Sequence, residues 1–180
     1  MGVNKQIKAI FLDRDGVLNK PVIINGKPYP PASLKDLIIP NDLEKFLIEL
    51  KKKGFLLIMI TNQPDVARGK SKLEEVEAIN NYLKQKLNLD YVMCCYHDDN
   101  DNCLCRKPKP GMILSAEKKW KINLKKSFLI GDRWKDIQSG KSAGVKTFLI
   151  DYNYDEKYIE PDFKVNDFKE INKIINDNFI

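Results

Sequence analysis

Short apolar segments recur along this chain, separated by longer stretches of mixed polarity. Each segment has five or six residues, many of them branched, and shows no polar alternation. The segments are IKAIFL (7–12), FLLIMI (55–60), YVMCC (91–95), SFLIG (127–131) and KTFLI (146–150). Runs of this kind are typical of strands that are covered on both faces. The pattern therefore predicts buried strands at these five places.

The stretches between the strands show helical periodicity. In SKLEEVEAINNYLKQKL, residues 71–87, apolar side chains recur on one helical face, and Ser71 with Glu74 matches a capping box. Asn41 is a candidate cap for a helix over residues 42–53. Further helices are predicted over residues 109–120, 133–144 and 167–179.

Strands that alternate with helices predict an α/β fold, a Rossmann-like open parallel sheet with helices on both faces. Residues 20–40 interrupt the alternation with several prolines and indicate a loop or small cap inserted after the first strand. Because ligands bind beyond the carboxyl ends of strands in such sheets, the inserted segment should overhang the active site. No linker is visible, so we expect one domain over residues 1–180.

Composition narrows the possible classes of protein. Charged residues make up 31% and hydrophobic residues 43% of the 180 positions, and no run approaches the roughly 18 apolar residues of a membrane span. The start of the chain has no export-signal pattern, which favours a reducing cytoplasm. The net charge is +6, but arginines are few and lie near polar clusters: Arg14, Arg68, Arg106 and Arg133.

Polar side chains follow several of the predicted strands directly. Asp13 and Asp15 come after the first strand, Thr61 and Asn62 after the second, and Asp132 after the fourth. Parallel strands present their carboxyl ends at one edge of the sheet, so these residues should meet there. Buried carboxylates raise one another's pKa and are costly without a positive partner. The sequence therefore predicts a cation or a reaction at this edge.

All four cysteines and the only histidine lie close together in the chain. Cys95, His97, Cys103 and Cys105 offer three thiolates and one imidazole, the usual set for a closed tetrahedral zinc site. The residues between His97 and Cys103 are all polar and predict a solvated hairpin that only a metal could order. A closed site leaves no position for water, so we predict a structural zinc in a loop over residues 95–105.

The segments FLDRDGVLN, ITN, RKPKPGM and IGDRWKD resemble, in order, the four motifs of the haloacid dehalogenase (HAD) superfamily of phosphotransferases. The resemblance implies a HAD-like fold with a minimal cap and a Mg²⁺-dependent phosphatase. It makes Asp13 the nucleophile that forms an aspartyl phosphate and Asp15 the general acid and base. Thr61 would donate to the phosphoryl group, and Lys107 would neutralise charge. Mg²⁺ would be bound by Asp13, the backbone carbonyl of Asp15 and Asp132.

The cysteine and histidine pattern resembles the zinc-containing branch of this superfamily, which includes heptose bisphosphate phosphatases and histidinol phosphatases. The expected substrate is a phosphorylated sugar, D-glycero-D-manno-heptose 1,7-bisphosphate, in heptose and cell-envelope polysaccharide biosynthesis. Asn62, Arg106 and Arg133 are expected to contact it, with the Arg106 fork suited to a second phosphate. Asp136 lies one helical turn after Asp132, where an orienting role and a plain surface charge are both open.

Other functions compete with this interpretation. A histidinol-phosphate phosphatase would share the motifs and the zinc loop, but no acidic pocket for an amine is visible. A polynucleotide 3′-phosphatase is disfavoured by the zinc loop. A zinc-containing nucleic-acid-binding module would leave Asp13, Asp15 and Asp132 without a purpose. We expect a monomer that has neither a nucleic acid nor a membrane as partner.

Overall fold

The chain forms a six-stranded sheet and a separate two-stranded hairpin in a computed structural model that describes residues 6–24 and 27–179. The strands of this described chain are β1 (Lys8–Leu12), β2 (Val22–Ile24), β3 (Lys27–Tyr29), β4 (Phe55–Asn62), β5 (Tyr91–Cys95), β6 (Phe128–Gly131), β7 (Lys146–Ile150) and β8 (Phe163–Val165). The large sheet has the order β5-β4-β1-β6-β7-β8, and its neighbouring strands are all parallel. The predicted α/β fold is confirmed.

Helices cover both faces of the large sheet. They are α1 (Leu43–Lys52), α2 (Leu73–Lys86), α3 (Gly111–Trp120), α4 (Trp134–Ala143) and α5 (Phe168–Phe179). Within residues 6–24 and 27–179, no helix combines the length and the apolar character needed to cross a membrane.

The central strand β1 shows why the apolar runs lack polar alternation. Ile10 and Leu12 pack into the core beneath α1, α2 and α5, whereas Ala9 and Phe11 pack into the core beneath α3 and α4. Successive side chains of a strand point to opposite faces, and here both faces are covered by helices. All four side chains are fully buried as a result.

The edges of the sheet depart from the sequence prediction. The run 91–95 forms β5, but this strand lies at an edge, and only Cys95 among its residues is fully buried. At the other edge lies β8, which the sequence did not predict because its three residues, Phe163–Val165, are too few to show a period.

The described residues of the segment inserted after β1 form a small cap. Strands β2 and β3 pair as an antiparallel hairpin, and a single 3₁₀ turn follows at Leu34–Asp36. The side chain of Ser33 opens this turn by accepting a hydrogen bond from the Lys35 amide (3.3 Å). The insertion predicted over residues 20–40 therefore carries its own local structure.

The predicted helix caps at Asn41 and Ser71 are wrong. The residues directly before α1 and α2 are Asp42 and Lys72, and neither side chain makes a capping hydrogen bond. The Ser71 amide instead donates to the carbonyl of Asp65 (3.0 Å). This bond places Ser71 in the turn before α2, where its side chain does not begin the helix.

Candidate active site

Four adjacent parallel strands bring the predicted polar residues to one edge of the sheet. Asp13 follows β1, Asp132 follows β6, Thr61 and Asn62 close β4, and Cys95 ends β5. The carboxyl ends of these strands meet there, which is the usual position of the site in an open α/β sheet.

A pocket of about 390 Å³ opens at this edge. Asp13, Lys107 and Asp132 line it from the strand ends, and Tyr29 and Pro30 line it from the small cap. Its volume lies in the range of small-molecule sites, roughly 300 to 1,000 Å³. The prediction that the inserted segment overhangs the site is confirmed.

A buried ammonium group faces three buried carboxylates at the base of the pocket. Asp13, Asp132 and Asp136, here called the carboxylate cluster, have ligand oxygens within 4.8 Å of one another. Lys107 Nζ donates to Asp13 Oδ1 (2.7 Å), Asp136 Oδ1 (2.5 Å) and the Ile60 carbonyl (3.1 Å). Asp136 is therefore part of the site, although its sequence position alone left this open.

The electrostatics of the cluster follow from burial and crowding. Burial and the neighbouring Asp136 raise the pKa of Asp13 to about 7, against the opposite effect of Lys107. Burial, then Asp13 and Asp136, also raises the pKa of Asp132 well above its ordinary value. Burial alone would lower the pKa of Lys107, but the two aspartates outweigh it, so this pKa is raised. Lys107 therefore stays charged, and no second cation of the described residues forms an ion pair with the three carboxylates.

The oxygens of Asp132 fit a hard cation. Both are buried, and neither has a hydrogen-bond partner in the described part of the chain. The backbone of Gly16 approaches them with φ of +96°, and a Cβ built there would lie 2.0 Å from Asp132 Oδ2. At Gly131 a Cβ would similarly collide with Asp136. Glycine permits both approaches, and the all-oxygen donor set suits Mg²⁺.

Asp15 is held at the pocket wall by donors from three side chains. It accepts hydrogen bonds from Arg14 Nη2 (3.0 Å), Asn19 Nδ2 (3.1 Å) and Gln63 Nε2 (2.8 Å). Gln63 Nε2 also donates to Thr61 Oγ1 (3.0 Å), so one amide links the two predicted catalytic side chains. This network fixes the Asp15 carboxylate relative to the base of the pocket.

Asn62 positions the backbone of the lysine loop. Its Nδ2 donates to the Lys107 carbonyl (2.9 Å), and its Oδ1 accepts from the Lys107 amide (3.0 Å). Both polar atoms of the side chain are thus engaged. The contact between Asn62 and substrate stays a prediction.

The two predicted substrate-binding arginines have different surroundings. Arg106 is buried and donates through Nε to Asp99 (2.8 Å), while its Nη1 has no acceptor among the described residues. Arg133 is partly exposed and donates through Nε and Nη2 to Glu156 Oε2 (2.8 and 2.6 Å). Both line the pocket, but only Arg106 has a buried donor without a partner.

Cys95, His97, Cys103 and Cys105 converge beside the pocket and are here called the thiolate cluster. Their Sγ atoms lie 3.3 to 3.7 Å apart, and His97 Nδ1 lies 3.6 Å from Cys95 Sγ and 3.3 Å from Cys105 Sγ. Tetrahedral Zn–S bonds of about 2.3 Å would place sulfurs roughly 3.8 Å apart. The cysteines are not joined by disulfides. The donor set and the spacing fit a closed zinc site.

The loop between His97 and Cys103 contains a 3₁₀ turn, Asp99–Asp101. The hairpin predicted for this loop is therefore wrong. The Asp98 carboxylate accepts from the Asp99 amide (2.7 Å), and the Asp101 carboxylate accepts from the Asp98 amide (2.7 Å). A reciprocal cap of this kind favours a helical turn over a strand pair. Lys109 Nζ adds a hydrogen bond to the Cys103 carbonyl (2.9 Å).

Comparisons with known proteins agree with this geometry. A family profile described as HAD-hydrolase-like matches residues 104–171. A D-glycero-β-D-manno-heptose-1,7-bisphosphate 7-phosphatase of Helicobacter pylori is 36% identical over 174 residues, covering 93% of this chain and 97% of that protein. This chain belongs to the HAD superfamily, in its branch of heptose-1,7-bisphosphate 7-phosphatases. It is accordingly a phosphoric monoester hydrolase.

One further relative and one solved structure resemble this phosphatase. A D-glycero-α-D-manno-heptose-1,7-bisphosphate 7-phosphatase of Photorhabdus laumondii is 34% identical and covers 82% of this chain and 84% of its own. The crystal structure of a D,D-heptose 1,7-bisphosphate phosphatase from B. bronchiseptica, complexed with magnesium and phosphate, superposes with a TM-score of 0.81. It is 24% identical and covers 95% of this chain and 99% of its own, and it supports the fold.

Sequence reasoning assigned no role to several side chains that support the phosphatase site. Gln63 and Asn19 hold Asp15, and Glu156 holds Arg133. Gln63 directly follows the TN pair, which is a usable signal. Glu156 lies in an irregular segment between β7 and β8, far from any motif, and only the fold brings it to the site.

Proposed function

We propose that this phosphatase removes the 7-phosphate of D-glycero-D-manno-heptose 1,7-bisphosphate with Mg²⁺ as cofactor. The names of its relatives support the substrate and the position of cleavage. The observation that carries the chemistry is the buried contact between Asp13 Oδ1 and Lys107 Nζ (2.7 Å) at the base of a pocket lined with cations.

Asp13 is proposed as the nucleophile. Its hydrogen bonds from the Arg14 amide (2.7 Å) and from Lys107 both go to Oδ1, and in the described chain none reaches Oδ2. Oδ2 is therefore the oxygen free to attack phosphorus. As the bond from Oδ2 to phosphorus forms, the bond from phosphorus to the sugar oxygen breaks, and Asp15 gives a proton to the departing oxygen.

The second half of the reaction releases phosphate. Asp15, now a carboxylate, takes a proton from a water molecule, and the water oxygen attacks phosphorus in the aspartyl phosphate. The bond to Asp13 Oδ2 breaks, which regenerates the free carboxylate and the protonated Asp15. Thr61 Oγ1 and Lys107 Nζ are proposed to hold the phosphoryl oxygens during both steps.

Mg²⁺ is proposed to bind at Asp13, the backbone carbonyl of Asp15 and Asp132. The unpartnered, buried oxygens of Asp132 and the raised pKa of Asp13 support this assignment. When bound, the ion would supply the positive charge that the three carboxylates lack and that a dianionic phosphate requires.

A structural zinc is proposed for the thiolate cluster. Four ligands close its coordination shell, so the ion would order the chain from Cys95 to Cys105 and take no part in the reaction. Because Arg106 and Lys107 follow Cys105 directly, an ordered loop would hold both side chains at the pocket.

We further propose that the enzyme works in the cytoplasm as a monomer, with residues 1–180 as a single domain, zinc loop over 95–105 and cap insertion over 20–40. A role in binding nucleic acid is disfavoured because Arg14 and Arg68 pair with carboxylates, at Asp15 and at Asp65 respectively. Histidinol phosphate is disfavoured as substrate because, among the charged residues that line the pocket outside the carboxylate cluster, six cations outnumber three aspartates, which is unfavourable for its amine.

A panel of phosphate-release assays tests this function. It contains both anomers of heptose 1,7-bisphosphate, histidinol phosphate, fructose 1,6-bisphosphate and a 3′-phosphorylated oligonucleotide. We expect the highest kcat/KM with a heptose bisphosphate and monophosphate as product. Preference for histidinol phosphate or the oligonucleotide would refute the assignment.

A further inference from the structure

The irregular segment between β7 and β8, residues 151–162, lies beside the carboxylate cluster and carries three tyrosines. They are Tyr152, Tyr154 and Tyr158. The four motif segments end before it, and so do all the residues that the sequence singles out for catalysis, substrate binding or metal binding. A contact between this segment and the metal site would therefore be a feature that the motifs do not predict.

Two hydrogen bonds tie the β7–β8 segment to the strand-end loops of the site. The Tyr152 hydroxyl donates to the Gly16 carbonyl (3.1 Å) in the turn after β1. The Glu156 carboxylate accepts from the Trp134 amide (3.0 Å) at the start of α4. These anchors lie on either side of Tyr154 in the chain, so the backbone that carries Tyr154 is held at the carboxylate cluster from both directions.

Tyr154 lies between the two anchors and has a buried hydroxyl. The intervening Asn153 has a left-handed backbone (φ +55°), and the rings of Tyr152 and Tyr154 lie against each other with centroids 5.6 Å apart. The Tyr154 hydroxyl has no hydrogen-bond partner in the described part of the chain. Because a buried hydroxyl without a partner is costly, an acceptor is expected beside it.

The Asp132 carboxylate is the acceptor that the surroundings of Tyr154 offer. Both side chains line the same small cavity of about 40 Å³. The two oxygens of Asp132 are buried and likewise lack a hydrogen-bond partner among residues 6–24 and 27–179. Burial, and after it the negative charge of Asp132, raises the pKa of Tyr154, as expected for a phenol close to a carboxylate. An unpartnered donor thus lies near an unpartnered acceptor.

We propose that Tyr154 is a positioning residue for the metal site, and that its hydroxyl donates a hydrogen bond to the Asp132 oxygen that a bound Mg²⁺ leaves free. This inference rests on the proposed Mg²⁺ site at Asp132. A carboxylate that binds a metal is commonly oriented by a hydrogen bond from a neighbouring side chain. Tyr154 would supply that bond from outside the motifs, without touching the substrate.

The test measures Mg²⁺ binding by isothermal titration calorimetry in the zinc-loaded enzyme without substrate. It compares Tyr154→Phe with Tyr158→Phe, an exposed tyrosine of the same segment whose hydroxyl donates to Glu160 (2.8 Å). We expect Tyr154→Phe to raise the dissociation constant for Mg²⁺ roughly ten- to a hundredfold, the usual effect of removing a hydrogen bond to a metal ligand. Tyr158→Phe should leave this constant unchanged.

Thermal unfolding distinguishes a positioning role from a purely structural one. In the Mg²⁺-free enzyme, Tyr154→Phe should leave Tm unchanged or raise it, because the hydroxyl it removes has no partner in the described chain. Loss of a structural hydrogen bond would lower Tm instead. The rise in Tm on addition of Mg²⁺ should shrink in this variant. Most of kcat should return at saturating Mg²⁺, since the defect lies in binding of the ion.

Equal Mg²⁺ affinity in Tyr154→Phe and Tyr158→Phe would overturn the inference. So would a loss of Tm in Tyr154→Phe that is the same with and without Mg²⁺. Asp132→Asn reports on the proposed metal site itself, and we expect it to abolish Mg²⁺ binding. If Asp132→Asn binds Mg²⁺ as tightly as wild type, the metal assignment is wrong, and the role of Tyr154 is refuted with it.

Discussion

The carboxylate cluster and the thiolate cluster lie at the same edge of the sheet but are held there by different means. Asp13 and Asp132 follow central strands directly, and Asp136 lies in the first turn of α4. In the thiolate cluster only Cys95 belongs to a strand, and the other three ligands lie in a loop with one 3₁₀ turn. Strand ends and one helix therefore position the first cluster, whereas a loop holds most of the second, which a proposed zinc ion would tie together.

The two clusters also differ in what they contribute. In the carboxylate cluster, three buried carboxylates share one ammonium group. The uncompensated negative charge opposes folding, but it suits a site that binds a cation or transfers a proton. The thiolate cluster would stabilise the chain and hold Arg106 and Lys107 at the pocket. Variants of the first cluster should therefore abolish turnover and spare the fold, and variants of the second should affect both.

Replacement of the proposed nucleophile, Asp13, should have the largest effect. Asp13→Asn is nearly isosteric but is a poor nucleophile, so we expect kcat to fall more than about a thousandfold with an unchanged circular dichroism spectrum. Asp155→Asn, an exposed aspartate outside the pocket, is the matched control. Turnover within tenfold of wild type, after deamidation has been excluded by mass spectrometry, would contradict the role of Asp13.

Loss of a zinc ligand should reduce stability and activity together. We expect Cys103→Ser to lose zinc, to lower the free energy of unfolding by about 3 kcal/mol, or about 10 °C in Tm, and to reduce kcat tenfold or more. Cys94→Ser removes the one thiol outside the cluster and should keep zinc and activity. Equal zinc content and Tm in the two variants would show that the thiolate cluster does not bind the metal.

Loss of the Gln63 side-chain amide, which links Asp15 to Thr61, should reduce turnover moderately. Gln63→Met removes hydrogen bonds of 2.8 and 3.0 Å, and we expect about a tenfold lower kcat with little change in Tm. Gln138→Met, in α4, is the control, because the Gln138 amide donates to Ser142 Oγ (3.2 Å) away from the pocket. A kcat equal to that of this control would exclude a positioning role for Gln63.

The last prediction concerns the effect of pH on stability in the Mg²⁺-free, zinc-loaded enzyme. The pKa of Asp13 is raised to about 7 and that of Asp132 is raised too, so the folded chain binds more protons than the unfolded chain between about pH 4 and 7. Stability should therefore fall as pH rises through this window, by up to about 1.4 kcal/mol per pH unit for each proton released. Asp132→Asn should flatten the pH dependence of Tm, and an unchanged slope would argue against the raised pKa values.

The sequence alone was sufficient for the central part of the fold. Runs such as FLLIMI are buried on both faces, so their apolar composition shows directly where the central strands lie. Strands β1, β4, β6 and β7 each lie within two residues of the predicted bounds. The edge strand β8 was not predicted and the helix caps were wrong, because β8 has three residues and Ser71 is held in a turn by the Asp65 carbonyl. Local composition carries little information about such features.

The active site likewise combines features that the local sequence predicts with features that only tertiary contacts determine. Asp13, Thr61 and Asp132 were predictable because each lies at or directly after an apolar strand, and parallel strands can only end at a common edge. The burial of Asp136, the clamp between Glu156 and Arg133, and the unpaired donor of Arg106 were decided by tertiary structure. Local sequence predicts where the central strands lie along the chain, but which charges neutralise one another depends on contacts between segments far apart in the chain.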